Sequence, residues 1–238
     1  MLLIAPIARA QVAVDWTIGV RNQYTLSYIG KVVHPDPVIQ GDVWWTLPHG
    51  FWADVWYSTT PTFEPNFGRE VDYGAGWANE HVMVGFYYYD LYEQFSTDSI
   101  GDVTETFVKA SWPIKERQHQ ITPYVEANYL YATRNQRANN GAFPMAGMKH
   151  HWEKIVWLVD MSQDVALVYD GGVFGSDQGF VFRYQASLAM KPASWITFRL
   201  PYFRVHVPLS GGIHDRTTEP QVGADIVIHH TFLEAPDK

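Results

Sequence analysis

Residues 14–28 read VDWTIGVRNQYTLSY, and this stretch decides the fold. Val14, Trp16, Ile18, Val20, Tyr24, Leu26 and Tyr28 share one parity. Asp15, Thr17, Gly19, Arg21, Gln23, Thr25 and Ser27 share the other. A period of two sends these sets to opposite faces of a strand. The run is longer than the ~5–6 residues usual in soluble sheets and closer to the ~9–11 of a membrane-spanning strand.

The same alternation recurs along the chain. Ile39, Val43, Trp45 and Leu47 oppose Gln40, Asp42 and Thr46. Phe51, Ala53, Val55 and Tyr57 oppose Asp54 and Ser58. Val71, Tyr73, Ala75 and Trp77 oppose Glu70, Asp72, Gly74 and Gly76. Val82, Val84, Phe86 and Tyr88 follow, then Thr106, Val108, Ala110 and Trp112 against Glu105 and Lys109. Val125, Ala127, Tyr129 and Tyr131 oppose Thr122, Tyr124, Glu126 and Asn128. Phe180, Phe182, Tyr184, Ala186 and Leu188 oppose Arg183, Gln185 and Ser187. Val222, Ala224, Ile226, Ile228 and Phe232 oppose Gln221, Gly223, Asp225 and Thr231. Residues 149–160 also read as a short helix, 165–174 contain Gly171-Gly172, and 194–207 are broken by Pro201, which predicts a bulge.

These runs predict about twelve strands. The long connections are expected at residues 30–37, 60–68, 93–102, 133–148, 175–179 and 208–219, the short ones at 48–50, 79–81, 113–118, 161–163 and 191–193. Long and short alternate in order, as in outer-membrane barrels with an even number of strands. Trp16, Trp45, Phe51, Trp77, Trp112, Trp195 and Phe232 fall at the strand ends next to the short turns or the termini. Tyr28, Tyr57, Tyr129 and Tyr131 fall next to the long loops. Rings in these two places form the girdles at the membrane interfaces.

Composition agrees. The 238 residues carry Trp 10, Tyr 14 and Phe 13 with only 18% charged residues, which excludes a disordered chain. Net charge −8 argues against nucleic acid, which needs a basic surface. Absence of cysteine excludes disulfides, thiol catalysis and thiolate metal sites. Mean hydropathy is −0.18 and no apolar run reaches the ~18 residues of a spanning helix, so spanning strands remain. Residues 1–10 read MLLIAPIARA. Ala8-Arg9-Ala10 closes this apolar segment as a cleavage pattern would, so it is expected to be a truncated signal peptide, with the barrel over 11–238.

Residues 21–112 resemble the TorF-type porins, a family of Gram-negative outer-membrane proteins. The resemblance rests on Pro37-Val38-Ile39-Gln40-Gly41-Asp42, His49-Gly50-Phe51-Trp52-Ala53-Asp54-Val55-Trp56, Glu70-Val71-Asp72-Tyr73-Gly74-Ala75-Gly76-Trp77, Gly85-Phe86-Tyr87-Tyr88-Tyr89 and Thr104-Glu105-Thr106-Phe107-Val108, in that order. The first outer loop reads Tyr24-Thr25-Leu26-Ser27 where the family carries an arginine-glycine element. The resemblance implies a barrel and a pore, with no catalytic residues to carry over.

Catalytic patterns are weak. Glu70-x-Asp72 puts two carboxylates on one face, as in some glycosidases, but Gly74 occupies the place of the third. His150-His151 and His229-His230 point each pair to opposite faces, a poor metal geometry. Ser210 or Ser176 with His206 or His214 offers an outer-membrane lipid or ester hydrolase as an alternative, and a soluble carbohydrate-binding sandwich is a third reading. The favoured reading is an all-β, single antiparallel up-and-down barrel acting as a narrow channel or small-solute binding barrel, without catalytic residues, cofactor or metal. Its partners are expected to be outer-membrane lipid, small solutes or ions and, during biogenesis, the barrel-assembly machinery. Parity turns Asp15, Arg21, Asp42, Asp54, Glu70, Asp72, Glu105, Lys109, Glu126, Arg183 and Asp225 inward. Eight of these are acids and three are bases, which predicts a modest cation preference, with Lys154, Arg199 and Arg204 as further bases on less regular strands.

Overall fold

A computed structural model describes residues 12–61, 69–91, 102–132, 140–210 and 212–232. The expected signal segment, residues 1–10, lies outside them. Twelve antiparallel strands close into a barrel. They are β1 (Val12–Arg21), β2 (Val38–Thr46), β3 (Phe51–Thr59), β4 (Glu70–Ala78), β5 (Val82–Leu91), β6 (Val103–Ser111), β7 (His119–Ala132), β8 (Met145–Val156), β9 (Val159–Asp170), β10 (Gly179–Ala193), β11 (Ile196–Pro208) and β12 (Gln221–Phe232). Each pairs with its sequence neighbours. The seam is β1 on β12, in register from Val12 opposite Phe232 to Arg21 opposite Gly223. Both ends of the described barrel therefore lie on one rim, the rim of the short turns.

The two faces are sorted as the parity predicts. Trp16, Ile18, Val20, Val84, Phe86, Val108, Val125, Leu167, Phe182, Val222, Ile226 and Ile228 are exposed on the outside. Asp54, Glu70, Asp72, Glu105, Glu126, Arg183, Gln221 and Asp225 are buried inside. An apolar exterior around a polar interior suits a hydrocarbon surrounding, where every strand must find its hydrogen bonds within the sheet. Phe51, Trp112, Trp195 and Phe232 stand exposed at the short-turn rim, and Tyr129, Tyr131, Tyr169 and Phe180 near the other.

Three expectations are corrected. β1 stops at Arg21 rather than running to Tyr28. The chain then turns inward and forms a small hairpin, Tyr24–Thr25 against Val32–His34. Tyr28 therefore leaves the girdle and packs on Phe143 with ring centroids 5.1 Å apart. Residues 149–160 are not a helix. They are the end of β8, a two-residue turn at Trp157-Leu158 and the start of β9. That turn carries no Gly or Pro. It is made with left-handed backbone at Trp157 and is backed by the Asp160 carboxylate, which accepts the Lys154 N–H at 2.8 Å. The fifth long connection accordingly spans residues 171–178, between β9 and β10.

The apolar core lies inside the barrel, near the long-loop mouth. Ile29 from the first loop, Phe143 from the fourth and Val173 from the fifth cluster with Val103, Leu130, Met145 and Val168 from the walls. The lipid-facing and interior-facing positions can be separated by one charge. Val84→Lys places an ammonium on the outer face and should cost about 2–4 kcal/mol near the midplane. Thr122→Lys faces the interior and should cost far less. Denaturant unfolding of both variants in lipid vesicles checks this, and equal losses would contradict the assignment of faces.

Candidate functional site

The barrel encloses a large polar surface, and cross-strand pairing decides its electrostatics. The Arg21 guanidinium meets Asp225 at 2.6 Å, and Arg199 meets the same carboxylate at 3.4 Å. Lys109 pairs with Glu126 at 2.8 Å across β6 and β7. Arg183 donates to Asp164 and to the Tyr124 hydroxyl, each at 2.9 Å. Asp15 holds His229 at 2.7 Å, near the short-turn rim. These pairs place Arg21, Lys109, Glu126, Arg183 and Asp225 in neutralised contacts, and Asp15 in a hydrogen bond.

The remaining acids of the sequence reading behave differently. Asp42, Asp54, Glu70, Asp72 and Glu105 lie in one sector of the barrel, on β2, β3, β4 and β6. Among the described residues none of them forms an ion pair with Lys, Arg or His. Tyr24 donates its hydroxyl to Glu70 at 2.6 Å, and Tyr87 donates to Asp54 at 3.1 Å. Tyr89 donates to Glu105. One oxygen each of Asp42, Asp54, Asp72 and Glu105 is buried with no hydrogen-bond partner. One wall is therefore acidic, and the opposing wall, from β8 to β11, carries Lys149, Arg183, Arg199 and Arg204.

The first loop is the element that shapes this space. Its Thr25 carbonyl accepts from Arg204 at 3.1 Å, and its Gln23 carbonyl accepts from Gln221 at 2.6 Å. Its Ser27 carbonyl lies 3.1 Å from His206 Nε2. The turn closes through Leu26 N–H to Lys31 O and Gly30 N–H to Leu26 O, both 2.9 Å. Gly30 needs its glycine twice over. Its φ is +76°, and a Cβ would meet the His206 side chain at 2.5 Å. At the mouth, Arg216 joins Asp170 and Asp215, and the His214 N–H reaches Asp177 at 2.8 Å. That backbone donor holds the Asp177 carboxyl below the usual carboxylate range. Lys31 reaches Asp215 at 3.6 Å and thereby ties the first loop to the last.

Two cavities result. A cavity of about 260 Å³ lies under the first loop, against Asp54, Glu70, Asp72, Glu105, Trp56 and Arg204. A second of about 350 Å³ opens between Gln120, Lys149, Ser162, Asp164, Gln185 and Arg199. Tyr202 borders both, and the Arg21 guanidinium stacks on its ring at 4.1 Å. Beside the first cavity, Trp52 stacks on Trp44 at 4.8 Å and fills the space left by the missing Cβ of Gly85, which would sit 2.4 Å from its ring.

Alternation alone does not place Arg204 and His206. The register of β11 shifts between Arg199 and Tyr202, beside Pro201. The shift moves the inward parity from Thr197 and Arg199 to Tyr202, Arg204 and His206. Tyr24 was hidden by the continued alternation beyond Arg21. Ser176 bonds to Asp170 at 2.7 Å, Ser210 accepts the Phe180 N–H at 3.1 Å, and His206 faces Ser27. No Ser–His hydrogen bond joins Ser176 or Ser210 to His206 or His214 among the described residues. No group of three His, Asp or Glu able to hold a metal is found there either.

Three solved structures share this architecture. A NanC porin is 14% identical, with 92% of this chain and 100% of that one covered at a TM-score of 0.52. A KdgM porin, solved in complex with disordered oligogalacturonate, is 8% identical, with coverage of 93% and 99% at 0.51. An outer-membrane channel from Pseudomonas putida F1 is 8% identical, with coverage of 95% and 97% at 0.51. At these identities the likeness is one of fold. No family model matches the chain, and no curated protein matches it in sequence.

The loop contacts make a direct test. Arg204→Ala leaves the Thr25 carbonyl and Gln221 short of a charged donor, a loss of about 1–3 kcal/mol. The amides of Leu26 and Gly30 should then exchange with deuterium about 5- to 150-fold faster. Unchanged protection would mean that the turn holds itself and the wall contacts add nothing.

Proposed function

We propose that this protein is an outer-membrane channel that passes small hydrophilic solutes and ions down their gradients. The observation that carries the reading is the inversion of the barrel: an apolar ring of exposed side chains outside, and a buried polar wall with two cavities inside. Residues 1–10 are read as the end of an export signal. Both ends of the barrel would face the periplasm and the long loops the exterior, with lipid around the belt and the barrel-assembly machinery inserting it. The ordered motifs of residues 21–112 support a TorF-type assignment. The channel is narrow, because the first loop is bonded across the interior and Tyr202 stands between the cavities. Its role is passive; the residues on the inner wall supply charge and shape rather than a reacting group.

Selectivity follows from the unpaired acids. Asp42, Asp54, Glu70, Asp72 and Glu105 have no ion-pair partner among the described residues, whereas most interior bases are neutralised. A charged wall of low dielectric concentrates counter-ions, so cations should be favoured. The test is the reversal potential of the refolded protein in a planar bilayer under a KCl gradient. The wild type should prefer K⁺ modestly, and the preference should fade toward 1 M salt, where the Debye length is ~3 Å. Asp54→Asn with Glu105→Gln should move the reversal potential toward zero. Anion selectivity, or no shift in the double variant, would remove these carboxylates from the permeation path, and absence of conductance would overturn the channel reading.

A further inference from the structure

We propose that the cavity beneath the first loop is a binding site for a small solute carrying an ammonium group. The proposal deepens the channel reading, on which it rests for the route by which the solute arrives.

Four carboxylates face this cavity. Asp54 and Asp72 are 7% exposed, Glu70 4% and Glu105 1%. Burying a carboxylate is costly unless a cation or a proton accompanies it. Four other interior acids meet that condition with a basic neighbour: Asp225 has Arg21 and Arg199, Glu126 has Lys109, Asp164 has Arg183, and Asp160 has Lys191 at 2.7 Å. Here Arg21 and Arg204 line the cavity but pair with none of the four: Arg21 is held by Asp225, and Arg204 by Thr25 and Gln221. Asp54 Oδ1, Asp72 Oδ1 and Glu105 Oε1 are buried without any hydrogen-bond partner.

Rings supply the second, independent feature. Trp56, Tyr24, Tyr87 and Tyr89 line the same cavity as the carboxylates. Trp56 and Tyr24 stand 5.6 Å apart at a tilt of 48°, and so form two sides of a cage. Aromatic faces attract alkylammonium groups, and the attraction grows where water is excluded. A bare metal ion would need three or four converging ligands, and no such group occurs among the described residues. The cavity, about 260 Å³, falls below the size of drug-binding pockets and fits a solute of a few heavy atoms. Arg204 on the facing wall donates to Thr25 and Gln221, not to a carboxylate, and is placed to meet a hydroxyl or carboxylate oxygen at the far end of the solute. The assembled site reads an ammonium by charge and rings at one end and an oxygen at the other.

The experiment is titration calorimetry of the refolded protein in detergent, at fixed ionic strength, with choline as the probe. Its neutral carbon isostere, 3,3-dimethylbutan-1-ol, is the control for shape. Choline should bind, and the isostere should bind at least about tenfold more weakly. Asp72→Asn should weaken choline about tenfold, Trp56→Leu should weaken it severalfold, and Glu116→Gln, on an exposed turn, should leave it unchanged. Native gel mobility before heating shows that each variant is folded. Equal affinity for choline and the isostere, or no heat with choline up to about 50 mM, a limit well beyond the ~1 mM of a weak specific site, would overturn the site. So would folded Asp72→Asn and Trp56→Leu variants that both bind like the wild type. Conductance recorded on the same preparation keeps the two readings apart. A conducting barrel that ignores choline removes only the site, and choline binding without conductance removes only the channel.

Discussion

Everything in this structure depends on the pairing of β1 with β12. Ten residues of each strand face one another, and with them the last two open edges disappear. An open edge would leave a row of N–H and C=O groups without partners, which hydrocarbon cannot satisfy. Closure also fixes which face is which. Once the ring is shut, a period of two leaves no intermediate choice: most aliphatic residues go out, the carboxylates, guanidiniums and amides go in, and the aromatic rings divide between the belt and the interior. The polar residues are then held at close range in a small volume, and the pairing of charges across strands becomes the main source of order in the interior.

That pairing is incomplete in one sector, and the incompleteness gives the interior its character. Arg21, Lys109, Arg183, Lys191 and Arg199 are matched to acids. On β3, β4 and β6, Asp54, Glu70 and Glu105 are matched instead to tyrosine hydroxyls, which satisfy one oxygen and supply no cation. The first loop adds the other feature. It folds down into the mouth, lays Ile29 against an apolar cluster from the walls and loops, and hydrogen-bonds to Arg204, Gln221 and His206. The result is a barrel with a fitted interior rather than an open tube, its two cavities meeting at Tyr202.

Much of this was legible in the sequence. The strand number, the alternation of long and short connections and the inward set all follow from parity and from the spacing of turns. The parts that were not legible share a cause. Alternation tells which face a residue takes, but not where the ladder of hydrogen bonds ends. Tyr24, Leu26 and Tyr28 continue the pattern of Val14 to Val20, yet they pack into the mouth instead of the wall. The turn at Trp157-Leu158 has no Gly or Pro to mark it. At Pro201 a register shift exchanges the faces, so that Arg204 and His206 enter the interior from positions a strict alternation would send outside. The acidic site was half visible. Alternation turns Asp54, Glu70, Asp72 and Glu105 inward, but which acids lack a base is a property of neighbouring strands, and sequence spacing does not contain it.

The most direct test of the account is closure itself, and the absence of cysteine in the chain makes it clean. Thr17 and Val227 stand opposite one another across the seam. Thr17→Cys with Val227→Cys should form an intramolecular disulfide in high yield after refolding into lipid vesicles, because directly opposed strand positions lie within the ~4.4–6.8 Å that a disulfide spans. Ala13→Cys with Val227→Cys should not, since the shift of four residues along the strand separates the pair by ~13 Å. A barrel closed by β1 and β12 gives the first bond and not the second. Free thiols in the first pair of a folded protein, or equal yields in both, would contradict the closed barrel.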